Sequence, residues 1–424
     1  MSLAISSTLR WLFIDLNSYF ASVEQQLHPE LRGRPVAVVP VLSDSTCAIA
    51  ASREAKRFGI KTGTNIGEAK RLCRDLVLVE ARHDAYVEYH HKIRDEIERH
   101  YPVHVIGSID EVGCLLDNRH ADEATAMALA RRIKRGLRER VGEVITCSAG
   151  IAPNRYLAKV ASDLTKPDGL EVVRLEDLPG RLAHLQLTDL CGIGRSMEPR
   201  LQAAGIHRFL DLWNARPELL RQVWGGVGGE RFWHQLHGGD LDDEPTTRRT
   251  VGHSHVLAPE FRNPPEAGIV ARRLLLKAAS RMRRLGYRAT ALNLAVRLES
   301  RQRHEAQQRF SPLSDSHALL GLLAGLWEHL LAPAARQRVK KISVTLHGLE
   351  PADGPEQLDL FPSLGLTVTA DRERRERLSK VMDDVNQAFG RDSLALGFAP
   401  DSVKTFSGTK IAFTRIPDAD EFRE

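Results

Sequence analysis

Three carboxylates set the chemistry open to this sequence. Asp110 and Glu111 close Ser108-Ile109-Asp110-Glu111, which lies between two β-like runs, His104–Gly107 and Val112–Leu116, and reads as the bend of a hairpin. Neighbouring residues of a regular strand point to opposite faces, so both acids share one site only where the strand bends or ends. Two unpaired acids in one place are costly unless a cation neutralises them. A third acid, Asp15, ends the apolar run Trp11-Leu12-Phe13-Ile14, which reads as a buried strand. Oxygen donors at strand ends suit hard divalent cations, Mg²⁺ in particular. Two such ions about 3.5–4 Å apart clamp the attacking and leaving oxygens of a phosphoryl transfer. An Asp-Glu pair by itself is more often a solvated turn, so the surrounding chain has to decide.

The elements around these acids support one site. Residues 12–17 read as a strand and Ser18 as the cap of a helix that carries Phe20 and Val23 on one face. A short strand, Pro35–Val41, precedes a helix-like stretch, Ala48–Phe58, that ends at Gly59 and contains Arg53, Lys56 and Arg57. Those cations are either a solvated face or a phosphate-facing surface. Helical periodicity returns at 65–76 and 86–100, and the cluster His83, His90 and His91 lacks acid or cysteine partners nearby and reads as solvated. After the hairpin come a long helix near 121–140, a strand at 144–152, a helix at 154–164 and the turn Lys166-Pro167-Asp168-Gly169. Strand–helix–strand–strand–helix–strand is the ferredoxin-like order. It places the first strand beside the central hairpin, Asp15 beside Asp110 and Glu111, and hangs the segment holding Arg53–Lys56 over them.

Beyond residue 180 the character changes. Leu187–Leu212 carries Gly192-Ile193-Gly194 between apolar positions, the pattern of a helix–hairpin–helix. There Gly192 and Gly194 let backbone N–H groups approach a DNA phosphate without reading sequence. A second glycine-rich turn, Gly225–Gly229, precedes Phe232–Leu236, which reads as core of the same small domain. Asp240–Arg249 has no apolar period and reads as a linker. Strands at 251–257, 292–298 and 341–346, with helices at 267–285 and 318–331, then describe a small α/β domain. Residues 251–310 hold twelve Lys and Arg against four Asp and Glu, a surplus of eight where the whole chain has five. Such a patch points to a polyanion, most simply nucleic acid, with Arg297, Arg301 and Arg303 reading as outward cations along a strand. In the tail, Gln357-Leu358-Asp359-Leu360-Phe361 offers spaced apolar anchors in a Pro/Asp/Gly-rich setting and reads as a short recognition motif. Residues 372–389 read as a charged helix and 393–413 as short strands.

Composition sets the outer bounds. The 424 residues suffice for two to four domains. The chain is 42% hydrophobic and 27% charged, with no apolar run able to span a membrane and no charged-then-apolar leader, so a cytoplasmic protein without membrane partners is expected. Five scattered cysteines without a C-x-x-C pair argue against zinc and disulfides.

With those residues in view, Trp11–Gln25, Ser52–Gly63, Ser108–Glu111, Ala149–Gly169 and Leu187–Leu212 together resemble the Y-family translesion DNA polymerases. The likeness runs from about residue 10 to 350. The tail residues Met382-Asp383, Asn386, Gly390-Arg391 and Leu394, with Asn17, look more like the polymerase V catalytic subunit than polymerase IV. The resemblance implies an α+β multidomain, right-handed polymerase: a ferredoxin-like palm (1–26 and 83–178), small fingers (27–82), a helix–hairpin–helix thumb (179–240), a linker (241–250), a DNA-binding little finger (251–349) and a tail (350–424). It also implies two Mg²⁺ ions held by Asp15, Asp110, Glu111 and the Leu16 carbonyl. Phe20 falls at the steric gate, and Arg53, Lys56 and Lys166 at triphosphate contacts, Arg53 standing where many relatives have Tyr. Gln357–Phe361 resembles a sliding-clamp-binding pentapeptide, and the family uses primer–template DNA, deoxynucleoside triphosphates and, in some members, accessory subunits of a mutasome. Val112-Gly113 stands where the family shows Ala and an aromatic, which predicts a looser hairpin. The implied function is low-fidelity, template-directed synthesis opposite damaged bases. The alternative is a catalytically silent relative acting as an adaptor for DNA and the clamp. A nucleotidyl cyclase, which shares the paired-acid palm, is opposed by the glycine-rich thumb pattern, the basic domain and the clamp-like peptide.

Overall fold

The computed structural model describes residues 8–44, 46–241, 247–331, 337–354, 369–390, 393–394, 396 and 416. The chain divides into two compact units, 1–244 with 410–422, and 245–409 with 423–424. Both are mixed helix and sheet.

In the first unit, β1 (Trp11–Leu16) is wholly buried and leads into α1 (Tyr19–Leu27). Ser18 does not cap that helix with its side chain. It adopts a left-handed conformation, φ 49°, that turns the chain sharply at the strand end. The next segment builds a small sheet from β2 (Val36–Val39), β3 (Ala50–Ala51) and β4 (Val77–Glu80), in the order β3-β2-β4. Its helices are α2 (Arg53–Lys56) and α3 (Ile66–Leu72). The stretch 48–58 is thus only briefly helical, because Ala50 and Ala51 pair with Val38 and Ala37 first. The long helix α4 (His83–Glu98) returns the chain to the main sheet.

There β5 (Val105–Ser108) and β6 (Glu111–Leu115) form the expected hairpin, followed by α5 (Glu123–Gly136), β7 (Cys147–Ala152), α6 (Arg155–Leu164) and β8 (Leu170–Val172). The sheet order is β5-β6-β1-β7-β8, so β1 lies between the hairpin and β7, as in ferredoxin-like folds. One core packs beneath it from Leu12, Ile14, Tyr86, Ile93, Leu129 and Ile133, with partly buried Ile416 from the far end of the chain against it. A second core, on Trp11, Phe13, Leu157 and Ala161, continues into the small helical domain.

That domain holds α7 (Glu198–Ala203), α8 (Phe209–Trp213), α9 (Pro217–Trp224) and α10 (Val227–Leu236). Gly192-Ile193-Gly194 is preceded by a single 3₁₀ turn, Leu187–Asp189, rather than a full helix. Asp189 accepts a hydrogen bond from the Gln186 N–H and closes that turn after three residues. Gly192, at φ 91°, turns the backbone where an L side chain is strained.

The second unit is a four-stranded antiparallel sheet backed by helices. Its elements are β9 (Thr250–Val256), α11 (Pro264–Arg284), β10 (Tyr287–Leu298), β11 (Arg303–Leu313), α12 (Ser316–Leu331) and β12 (Val339–His347). The order is β11-β10-β12-β9, with the short β13 (Glu350–Pro351) on β10. β11 is polar on its outer positions, and for that reason its sequence does not announce a strand. Its Arg303-His304-Glu305-Ala306 alternation becomes visible against β10. The last helix, α13 (Thr369–Phe389), packs on α11 and α12 through the Arg283–Asp383 ion pair, 2.7 Å, and a Ser316 N–H donating to Ser379 Oγ at 3.0 Å. The clamp-like segment 357–361 and most of 393–413 lie outside the described residues.

Candidate active site

β1 delivers the first acid. Asp15 pairs in register with Glu111 on one side and with Ser148 of β7 on the other. One residue on, the Leu16 N–H donates to the Asp110 carbonyl at 2.8 Å, which ties the hairpin bend to the end of β1. The register between β5 and β6 slips at Ile106/Ser108, and that irregularity lets Asp110 and Glu111 turn toward one place. Ser108 Oγ donates to Asp110 Oδ1 at 2.5 Å and fixes its rotamer.

Gly113 is closely packed within the hairpin. A Cβ there would lie 2.7 Å from Val105 Cγ1 and 3.3 Å from the Trp11 ring, so Trp11 fills the space an aromatic at 113 would take. The bend is also held from below. His90 is buried, and its Nδ1 lies 2.8 Å from the Ile109 carbonyl oxygen. His83 is buried as well, against the expectation of a solvated cluster, because both histidines fall on the core face of α4 with Tyr86 and Ile93. Helical spacing from those two apolar residues is the sequence signal for this. Burial holds the His90 imidazole below its ordinary pKa, the nearby carbonyl working the other way.

Electrostatically the site is crowded with acid. Burial, against the pull of Lys166, raises Asp15 from 3.8 to about 6, with Asp163 and Asp110 adding to the rise. Asp110 is raised too, by burial and by the Glu111 charge, against the Ser108 bond. Two lysines offset this charge: Lys166 Nζ lies 2.8 Å from Asp15 and 2.6 Å from Asp163, and Lys159 pairs with Glu111. Burial works to lower Lys166, and its acid partners outweigh it. Lys159 and Asp163 are the site residues that sequence reasoning misses. Both lie on α6, four residues apart, the spacing of one helical face. Among the described residues no three His, Cys, Asp or Glu side chains ring a metal position as they stand, the ammonium groups being on the carboxylates instead. The donor set nevertheless fits hard divalent cations: three carboxylates and a backbone carbonyl, with buried Asp15 and half-buried Asp110 both raised by desolvation and further by neighbouring acid charge, a cost that a dication removes.

Lys56, on the exposed α2, lies within electrostatic range of this site. Burial of its amine and then the Lys166 charge lower its pKa, while Asp15 and Asp110 raise it. Arg53 is exposed at the first position of α2. Phe20, only 5% exposed, stacks on Tyr86 with ring centres 4.3 Å apart and planes at 13°. The Tyr86 hydroxyl donates to Glu24 at 2.7 Å, and buried Glu24 also takes Arg82 at 2.5 Å. In the second unit, Arg297 and Arg303 stand directly opposite each other on β10 and β11, and Arg301 sits in the turn between them at φ 71°. They form a cluster across a hairpin rather than a row along one strand.

Known proteins agree with this architecture. Residues 14–163 match the model of the impB/mucB/samB family, and residues 248–360 match that of its C-terminal domain. A DNA polymerase IV of Moorella thermoacetica is 35% identical over 398 residues, 91% of this chain and 95% of that protein. A DNA polymerase IV of Gluconobacter oxydans is 30% identical, covering 83% and 99%. Among solved structures, the Y-family DNA polymerase chimera Dbh-Dpo4(243-245)-Dbh aligns with a TM-score of 0.67 at 24% identity over 80% of this chain and 99% of that one. An insertion ternary complex of Dbh DNA polymerase aligns with a TM-score of 0.52 at 24% identity, over 80% and 98%. The leaning toward polymerase V rests on Asn17 and the tail residues alone, whereas the named relatives are polymerases IV. No helix among the described residues is long and apolar enough to cross a membrane. The chain belongs to the impB/mucB/samB family, the Y-family translesion polymerases, and is a DNA-directed DNA polymerase.

Proposed function

We propose that this polymerase extends primers opposite damaged bases with low fidelity, through a two-metal phosphoryl transfer at Asp15, Asp110 and Glu111. The observation that carries it is the meeting of β1 and the β5–β6 bend, which brings three acids to one place with Lys56 and Lys166 beside them. Two bound Mg²⁺ ions would supply the charge that activates a primer 3′-OH and stabilises the departing pyrophosphate. The chain's own residues do the positioning. Asp15, Asp110, Glu111 and the Leu16 carbonyl would hold the cations. Lys56 and Lys166, with Arg53 at the rim, take the triphosphate, and Lys166 leaves Asp15 as it does so. Phe20 lies beneath the sugar and excludes a 2′-OH.

Around this centre, residues 1–26 and 83–178 serve as palm, 27–82 as fingers, 179–240 as thumb and 251–349 as little finger, joined by the linker 241–250. Gly192 and Gly194, with Arg297, Arg301 and Arg303, grip primer–template DNA through its phosphates. Gln357–Phe361 in the tail 350–424 recruits a sliding clamp, and accessory subunits of a mutasome assist in the cytoplasm. The presence of all three acids in one place disfavours the silent-adaptor reading. Primer extension on undamaged DNA with Mg²⁺ and four deoxynucleotides decides it. Extension by the wild type that falls by on the order of a thousandfold in Asp110→Ala supports the reading. A folded, DNA-binding wild type that fails to extend overturns it. Separately, Leu360→Ala with Phe361→Ala is expected to abolish capture by a bacterial sliding clamp in a pull-down while leaving clamp-free extension intact. Undiminished capture sinks the motif.

A further inference from the structure

Lys134 lies on α5, away from the three acids, and its ammonium group is fully engaged. It donates to the carbonyls of Cys147 at 2.7 Å, Asp168 at 2.8 Å and Gly169 at 2.9 Å, and the Asp168 carboxylate is a further 2.8 Å contact. The side chain is 15% exposed. An ammonium group with three protons has three bonds to make, and here each goes to a main-chain carbonyl. Two of those carbonyls belong to the tight turn that follows Lys166-Pro167. The third, from Cys147, is on β7 directly opposite Leu16.

The same turn is pinned from two other directions. Asn17 Oδ1 accepts the Asp168 N–H at 2.8 Å, and Ser148 Oγ accepts the Gly169 N–H at 3.3 Å and an Asn17 N–H at 3.0 Å. Arg138 pairs with the Asp168 carboxylate. A Cβ on Gly169 would fall 1.9 Å from the Thr165 carbonyl oxygen, so the turn closes tightly on itself. Lys166, two residues before Asp168, is thereby held with its ammonium at Asp15 and Asp163.

We propose that Lys134 is a positioning residue for nucleotide binding: it fixes the 165–169 turn against the end of β7 and so aims Lys166 into the acid site. The proposal rests on Lys166 being a triphosphate contact. A small misplacement of a group that grips the reacting phosphates is costly, because that grip depends on geometry set before binding. Lys134 also accounts for why a lysine occurs on the core-flanking side of α5, beside the buried stripe Ala126, Leu129, Ala130 and Ile133.

The test is single-turnover extension against deoxynucleotide concentration, with primer–template affinity measured alongside. Lys134→Met is expected to weaken apparent nucleotide affinity on the order of tenfold, with DNA affinity unchanged and the maximal rate within about threefold. Lys134→Arg, which keeps donors for the carbonyls, is expected to restore affinity to within about threefold of wild type. Lys134→Met combined with Lys166→Ala should be no worse than Lys166→Ala alone, since both act through one group. Unaltered nucleotide affinity in Lys134→Met, or losses that multiply in the double variant, overturn the proposal. If Lys166→Ala leaves nucleotide affinity intact, the triphosphate reading itself fails. Amide hydrogen exchange then still judges Lys134: faster exchange at Asp168 and Gly169 in Lys134→Met supports its hold on the turn, and unchanged exchange refutes it.

Discussion

At the end of β1, Asp15 is 7% exposed and meets the Lys166 ammonium at 2.8 Å, whereas Arg297 and Arg303 stand opposite each other on the outer face of the β10–β11 ladder, both exposed. Like charges are a cost in both places, handled differently. In the first unit they are desolvated and matched: Glu111 has Lys159, Asp15 has Lys166, and Asp110 has the Ser108 hydroxyl. On the second, cross-strand arginines repel through water, and Arg303 has Glu305 at 2.7 Å as partial relief. Buried charge of this kind gains strength from fixed geometry and low dielectric and is insensitive to salt. Exposed charge gains from numbers and is screened. In the proposed roles, the first serves chemistry at a single phosphorus atom and the second holds a long polyanion whose sequence changes.

Removing a buried charge gives the largest expected effect. Asp15→Asn should abolish extension, on the order of a thousandfold or more, and at the same time make the metal-free protein more stable. Burial raises Asp15 from 3.8 to about 6, so the folded chain takes its proton more readily than the unfolded chain does. Its contribution to stability is therefore complete below about pH 4 and is lost as pH rises through about 6. Above that the wild type carries a penalty of up to about 3 kcal/mol that the amide does not. Thermal melts of the first unit should show Asp15→Asn ahead of wild type at about pH 7.5, level with it near pH 4, and unaffected by the Mg²⁺ that raises the wild-type transition. Equal melts at the higher pH would mean that Lys166 fully compensates the buried acid.

The second effect concerns packing within the same unit. Phe20 is held on Tyr86, whose hydroxyl is fixed by Glu24, so the ring presents a firm edge. Phe20→Ala is expected to raise ribonucleotide incorporation relative to deoxynucleotide on the order of a hundredfold. Unchanged sugar discrimination in competition assays would remove Phe20 from the gate. Tyr86→Phe, which leaves the stack but removes one hydrogen bond from buried Glu24, should cost stability rather than selectivity, the carboxylate keeping only Arg82.

How much of this can be read in advance follows the same division. Asp15, Asp110 and Glu111 are legible because an apolar strand ending in acid and an acidic hairpin bend are local patterns, and the βαββαβ order joins them. The insertion reads as helix around 48–58 because Ala-rich sequence has high helix propensity, but Ala50 and Ala51 are claimed by the edge of β2. His90 reads as solvated when an isolated histidine is judged by its neighbours in sequence, and the buried face of α4 decides otherwise. Lys134 and Lys159 give no sign, since their partners lie more than ten residues away on other elements and one set is backbone carbonyl. Long-range polar partners are set by tertiary structure, and no window of sequence contains them. β11 escapes for the opposite reason: its outer face is so polar that the alternation lacks contrast.

The smallest expected effect tests the exposed side of the comparison most directly. Arg297→Gln, Arg301→Asn and Arg303→Gln together should weaken primer–template binding about tenfold at low salt and nearly spare it at high salt. Asn is chosen at 301 because that residue sits at φ 71°, where Asn is more easily accommodated than most residues. Each phosphate left without its arginine should lower the slope of log affinity against log salt by about 0.9, so the triple variant should flatten it by about 2 to 3. The measurement is fluorescence anisotropy on labelled primer–template from about 50 to about 200 mM salt. An unchanged slope would show that the hairpin cluster faces away from DNA. A lower affinity with an unchanged slope would point instead to a folding defect in the β10–β11 hairpin, because counterion release depends on the number of phosphates neutralised and not on how well the strand is packed.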